Sequence, residues 1–243
     1  MIVTYRFASI IKRDCVQLKK RMDSNMASCV IMDGLMGSGK TTLAVEFLEH
    51  FQGCEIDYHS QYAVGGDDFT KKLNRCIQKK LPVIIYDEAG DYNKFGTFTE
   101  FNKTLNEVFE TFRAFKILII LVLPFFDDLP GSIFMKGVPR ILYNCRRKIG
   151  EPFGWVRTYN YYRMSHMRFT LKNKKIPVPQ DIYRKVSPNY TTRFYDLPKS
   201  RSRELDKIST TQKKNRLVAA DMVVSDLKAK KLNKLVGISS LRN

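Results

Sequence analysis

The sequence predicts an α/β fold, a mostly parallel sheet with helices on both faces, followed by a basic C-terminal extension. Three observations support this. Apolar runs at 28–32, 83–86 and 117–123 have the composition of strands buried on both faces. Longer segments at 41–51 and 99–115 carry apolar residues at helical spacing. Strand and helix alternate along the chain, and right-handed crossovers turn that order into a parallel sheet.

The elements follow in order. Residues 1–26 form a basic N-terminal segment in which Ile10, Ile11, Val16 and Leu18 are spaced for a short helix. The run at 28–32 feeds into glycines, as a central strand should. The helix at 41–51 presents Leu43, Val45, Phe47, Leu48 and Phe51. Gly65-Gly66 marks a loop, and Asp67 or Asp68 is placed to cap a helix reaching about residue 80. Pro82 opens the strand at 83–86, which ends at Asp87-Glu88. In the helix at 99–115, Phe101, Leu105, Val108, Phe109 and Phe112 share a face. Strands follow at 117–123 and 138–143.

Beyond Gly150 the character changes. Residues 155–164 are aromatic and basic, 172–175 read as a turn, and Pro177, Pro179 and Pro188 punctuate an irregular stretch. From Lys199 the chain is rich in lysine and arginine and compatible with helix. The expected boundaries are 1–26, a main domain at 27–195 and a tail at 196–243.

Composition narrows the class. The chain has 243 residues, 44% of them hydrophobic, enough for one sizeable domain with an extension. Lysine and arginine number 42 against 24 acidic residues, a net charge of +18 that suits a polyanionic partner. The five cysteines are scattered without a C-x-x-C pair, and His50, His59 and His166 lie at no finger-like spacing. Reduced, mostly buried thiols in a cytoplasmic protein are expected. Arg6, Lys12, Arg13 and Asp14 interrupt the N-terminus, so a secretory signal is not expected. The most apolar run, 117–126, is about half the length that spans a bilayer, so no transmembrane segment is expected either.

Residues 34–42 read Gly34-Leu35-Met36-Gly37-Ser38-Gly39-Lys40-Thr41-Thr42, a complete G-x-x-x-x-G-K-T loop between a strand and a helix. Gly34, Gly37 and Gly39 let the backbone turn N–H groups inward around a phosphate, and the helix N-terminus adds its positive end. Lys40 supplies a charge that bridges β- and γ-phosphates. Thr41 is a ligand for Mg²⁺, and Thr42 is placed for an α-phosphate oxygen. ATP with Mg²⁺ is the expected ligand pair.

The run at 83–86 delivers Asp87 and Glu88 to the C-terminal tip of a strand, where α/β folds bind ligands. Asp87 is expected to hold Mg²⁺, and Glu88 to orient and polarise the attacking water. A kinase acting on a metabolite does not need that glutamate, so the pair favours hydrolysis. After the strand at 117–123 stands Pro124, where ATPases often place a polar sensor. The sensor is either missing or lies in Asp127-Asp128. Arg113 is a candidate to reach a neighbouring subunit's nucleotide, with Arg146, Arg147 and Lys148 as a rival cluster.

On Gly34–Thr42, Asp87-Glu88 and the strand at 117–123, the chain resembles additional-strand P-loop ATPases of RecA-like type. Within them it is most similar to the HerA/FtsK-like group, in particular short viral and plasmid members of the zonula occludens toxin-like kind. The basic stretch before the loop, Asp87-Glu88-Ala89-Gly90-Asp91, the helix from Asn102 to Arg113, and Pro124 with Leu129 carry that likeness across roughly residues 20–165. The resemblance implies a homo-oligomeric ring, the hexamer being one candidate size, that moves DNA in packaging, extrusion or conjugative transfer. Two features depart from it: Pro124 stands where a glutamine is common, and the membrane-anchored relatives' transmembrane helix is not seen.

The segment 199–243 carries twelve lysines and arginines against Glu204, Asp206, Asp221 and Asp226. Such a segment neutralises phosphates without reading sequence, so DNA is the expected partner. Tyr159, Tyr161, Tyr162 and Arg163 either stack on unpaired bases or form the core of a hairpin. The leading expectation is a DNA-acting ATPase motor. A replication initiator or helicase-loader switch, and a nucleoside or nucleotide kinase, are the alternatives.

Overall fold

Seven strands form one sheet in the spatial order β2-β3-β4-β1-β5-β6-β7. They are β1 (Cys29–Asp33), β2 (Tyr62–Val64), β3 (Val83–Asp87), β4 (Leu118–Leu123), β5 (Pro139–Arg146), β6 (Phe153–Asn160) and β7 (Tyr190–Tyr195). The structure, a computed structural model, describes residues 9–26, 28–87, 114–129, 134, 137–148, 150–151, 153–173, 176 and 178–214. Neighbouring strands from β2 to β5 are parallel, whereas β6 runs antiparallel to both β5 and β7. The sheet is therefore mostly parallel, and its strand order is that of a P-loop α/β fold.

Every residue of β1, β3 and β4 is buried, the reason these strands read as unbroken apolar runs. Each of their large apolar side chains contributes about 1.5–3 kcal/mol by leaving water. On one face, α4 (Gly66–Gln78) and α5 (Tyr161–Asn173) pack through Phe69, Leu73, Met164 and Met167. The helix α2 (Lys40–Gln52) packs against β1, β3 and β4, and α1 (Ser9–Asp23) packs on α2. The Phe47 ring of α2 lies 5.8 Å from that of Tyr143 on β5. From α1, Asp14 accepts hydrogen bonds from Tyr143 (2.8 Å) and Tyr190, tying the N-terminal helix to β5 and β7.

Several elements depart from the sequence reading. The helix α3 (Tyr58–Gln61) and strand β2 are four and three residues long, too short to show a period. Gly65, not an aspartate, occupies the N-cap of α4. Asp68 sits inside the first turn, accepting from Val64 N at 3.1 Å and pairing with Lys72. The aromatic stretch after Gly150 is β6 running into α5, and the proline-punctuated stretch contains α6 (Ile182–Lys185) and β7. The helix expected at 99–115 falls outside the described residues except at its end.

The chain divides into two compact units, Met1–Pro198 and Lys199–Asn243. Of the second, residues 199–214 are described, and they are helical. Among the described residues no helix is long and apolar enough to cross a membrane. The five cysteines are free, with Cys15, Cys29, Cys76 and Cys145 buried and Cys54 exposed. Burial pushes the Cys15 and Cys76 thiols up to about 12, which leaves them unreactive.

Candidate functional site

The glycine loop leaves the C-terminal end of β1 and ends on α2. Gly34 and Gly39 adopt φ of 139° and 88°, conformations that favour glycine. Both are also sterically confined. A Cβ on Gly34 would meet the Cys145 carbonyl oxygen at 2.3 Å, and one on Gly39 would meet the Phe194 ring at 2.8 Å. Gly39 is the N-cap of α2 and offers no side chain to the helix N–H groups, which leaves that end open to an anion.

Lys40 folds back over the loop and donates to the carbonyls of Gly34 at 2.8 Å and Leu35 at 3.0 Å. Its charge is thereby held inside the turn. Ser38 Oγ is buried and finds no hydrogen-bond partner among the described residues. An unsatisfied hydroxyl, a held ammonium and an uncapped helix end together suit a phosphate chain. Leu35 and Met36, at 73% and 99% exposure, form the outer lip of the loop, and Thr42 lies on the first turn of α2.

The acidic strand tip meets this loop across an intervening strand. β4 lies between β1 and β3, and α2 crosses it to reach β3. Thr41 Oγ1 donates to Asp87 Oδ2 at 3.1 Å, joining residues 46 positions apart. The same oxygen accepts from Tyr62 OH at 2.6 Å. A hydroxyl and one buried carboxylate are hard oxygen donors, which fits Mg²⁺ completing its shell with water and phosphate. Sequence reasoning misses Tyr62, because the three-residue strand that carries it leaves no signature.

Below the loop, Asp33 is fully buried and accepts from Asn144 Nδ2 at 2.9 Å, Phe126 N at 3.0 Å and Tyr183 OH. It ties the ends of β1 and β5 to the turn after β4 and to α6. Burial pushes its carboxyl up to about 6, more than its three donors and Lys40 pull it down. A raised carboxyl binds its proton more tightly folded than unfolded, so this group's contribution to stability declines as pH rises from about 4 past 6. The loss is about 3 kcal/mol for a shift of that size. Asp33→Asn should flatten that part of the curve in denaturant titrations at pH 4.5, 5.5 and 7. An unchanged pH dependence would show that Asp33 is not the responsible group.

Beside the loop lies a cavity of about 880 Å³, bordered by Gly34 to Ser38 and by Arg146, Arg147, Arg157 and Arg184. Burial, with Arg157 and Arg184 nearby, holds the Arg146 guanidinium below its ordinary value. Arg147 pairs with Asp196 and lies 6.0 Å from the centre of the Phe194 ring, which backs Gly39. The cluster at 146–148 thus borders the cavity beside its own chain's loop.

Pro124 closes β4, and its carbonyl accepts from Gly34 N at 3.4 Å, so it braces the loop by backbone alone. Asp127 is paired with Arg168 at 2.8 Å. Glu88 and Arg113 lie outside the described residues. Of the aromatic cluster, Tyr159 is fully buried in the core, Tyr161 is partly buried, and Tyr162 is 79% exposed.

No family model matches the sequence, and no curated protein matches it. Solved structures do match, loosely. A KaiC-like protein from Pyrococcus horikoshii is 14% identical with a TM-score of 0.37, over 55% of this chain and 78% of that one. The flagellar accessory protein FlaH from Methanocaldococcus jannaschii is 15% identical with a TM-score of 0.31, over 60% and 84%. A DNA replication initiation factor is 14% identical with a TM-score of 0.34, over 69% of this chain and 52% of that one. At such scores these likenesses add no weight to the fold reading, which rests on strand order and the glycine loop.

Proposed function

We propose that this chain hydrolyses ATP with Mg²⁺ as a P-loop motor acting on DNA, assembled as a homo-oligomeric ring. The observation that carries the Mg²⁺-nucleotide part is the 3.1 Å contact between Thr41 and Asp87, and hydrolysis is supported by Glu88 following Asp87 in sequence. The contact brings the phosphate loop and the acidic strand tip together across β4, the spatial requirement of the additional-strand arrangement. In this reading the loop backbone from Gly34 to Gly39 cradles the phosphates, and Lys40 offsets charge on the β- and γ-oxygens. Thr41 and Asp87 would hold Mg²⁺, and the bound ion would supply positive charge for the phosphoryl oxygens. Glu88, next in sequence to Asp87, orients the attacking water and takes its proton. Arg113 is the candidate donated from a neighbouring subunit.

The DNA part is supported by the net charge of +18 and by the density of lysine and arginine from Lys199 onward. Phosphate release measured without nucleic acid, then with single-stranded DNA, duplex DNA and RNA, tests both parts. DNA should raise turnover, and DNA affinity should fall steeply with salt, by about 0.9 in log–log slope per duplex phosphate neutralised. Deleting residues 199–243 should flatten that slope and leave basal turnover in place. Absence of phosphate release throughout would overturn hydrolysis, and transfer to a nucleoside would make the protein a kinase. Turnover indifferent to every nucleic acid would remove DNA from the reading.

A further inference from the structure

A second cavity, of about 540 Å³, opens at the opposite end of β5 from the phosphate loop. The strand register sets this position. Asn144, at the far end of β5, pairs with Asp33 beside the loop, whereas Ile141, near its start, pairs with Asn160 on β6. Arg140 and Asn160 border the second cavity and Arg146 the first, so the two cavities lie toward opposite ends of the strand.

Three guanidinium groups border it: Arg13 and Arg21 from α1, and Arg140 from β5. None of the three forms an ion pair among the described residues. Arg21 donates only a long bond to Ser28 Oγ, at 3.4 Å, and Arg140 Nε is buried without a hydrogen-bond partner. Burial and the like charge of Arg140 both lower the Arg21 guanidinium from its ordinary value, as two cations close together would. Among the described residues the one carboxylate at the cavity, Asp14, accepts from Tyr143 and Tyr190. Three arginines against one carboxylate leave the cavity with excess positive charge, and Arg21 and Arg140 are half-buried, so an anion's place stands open.

The rim adds aromatic surface. Arg140 lies 5.7 Å from the centre of the Tyr161 ring, and Tyr161 meets Tyr162 edge to face at 5.8 Å. Tyr162 is 79% exposed, an unusual place for a large ring beside a cationic pocket. Gln17, Asn160 and Asn189 also border the space.

We propose that this cavity binds one unpaired nucleotide of a nucleic-acid strand, with its phosphate on Arg13, Arg21 and Arg140 and its base against Tyr162. A free anion would use the arginines and ignore the exposed ring. A duplex would meet the arginines but offers no base to stack. The inference rests on the nucleic-acid part of the function proposed above and is independent of ATP hydrolysis. It assigns the aromatic stretch a role in which Tyr162 stacks, Tyr161 orients Arg140, and Tyr159 belongs to the core.

Fluorescence anisotropy of the full chain with oligo(dT), oligo(U) and a duplex of equal length tests it. Tyr162→Ala should weaken both single strands about tenfold, as removal of one stacked base does, and leave duplex affinity unchanged. Tyr162→Phe keeps the ring and should bind as wild type. Arg13→Gln with Arg21→Gln should lower the log–log salt slope for oligo(dT) by roughly 0.7 for each phosphate no longer neutralised. Circular dichroism melting confirms that each variant is folded. Wild-type affinity for single strands in both the tyrosine and the arginine variants would overturn the site while leaving DNA binding through the tail intact. An equal loss for duplex would overturn the unpaired-base assignment. Competition by inorganic phosphate as effective as oligo(dT) would reduce it to a free-anion site. A full chain that binds no nucleic acid would overturn this inference and the DNA part of the function together.

Discussion

Lys40→Ala should lower ATP turnover by about 10³-fold or more, and weaken triphosphate binding with it. The ammonium sits 2.8 Å from the Gly34 carbonyl and 3.0 Å from that of Leu35, so its charge lies within the turn that would receive the phosphates. Alanine has no group to replace it. The loop itself should survive, because its path is set by glycine backbone at Gly34, Gly37 and Gly39 and by the Phe194 ring behind Gly39. Lys40→Arg should rescue little, since a planar guanidinium is bulkier than an ammonium and presents its charge differently. Steady-state phosphate release, a fluorescent nucleotide titration and a thermal melt separate the effects. A folded Lys40→Ala protein that hydrolyses ATP at the wild-type rate would sink the assignment of the loop.

Asp87→Asn should cost about 10²–10³-fold in turnover, partly recovered at raised Mg²⁺. The amide keeps the bulk of the side chain, and its oxygen can still accept from Thr41 and Tyr62. What disappears is the negative charge that makes the site attractive to a divalent cation. Tyr62→Phe provides the contrast. It removes the 2.6 Å bond to the same carboxylate but leaves the charge, so it should shift the Mg²⁺ concentration for half-maximal turnover only modestly. Rates measured across a Mg²⁺ series distinguish the two variants. Wild-type Mg²⁺ dependence in Asp87→Asn would mean that Asp87 merely braces Tyr62 and Thr41.

These two residues are identifiable from the linear chain for a simple reason. A phosphate loop is built from consecutive residues whose backbone conformations glycine permits, so residues 34–42 carry their own geometry. An acidic pair after four apolar residues marks a strand tip wherever that strand sits in the sheet. Strands buried on both faces announce themselves by composition, which is why β1, β3 and β4 are legible to within a residue or two.

Other features depend on contacts between distant residues and leave no local trace. The insertion of β4 between β1 and β3 is a matter of sheet order, and it decides that Thr41 meets Asp87. Asp33 and Tyr183 are 150 positions apart, yet their hydrogen bond ties the base of the loop to α6. Tyr62 joins the site from a strand too short to show a period. Neighbouring tyrosines have opposite fates, because β6 directs Tyr159 into the core whereas the start of α5 leaves Tyr162 in water. Local conformational preference therefore wrote the loop and the acidic tip into the sequence. The partners of Asp33 and Asp87, and the arginines gathered at either end of β5, were decided only when packing and hydrogen bonding closed the sheet.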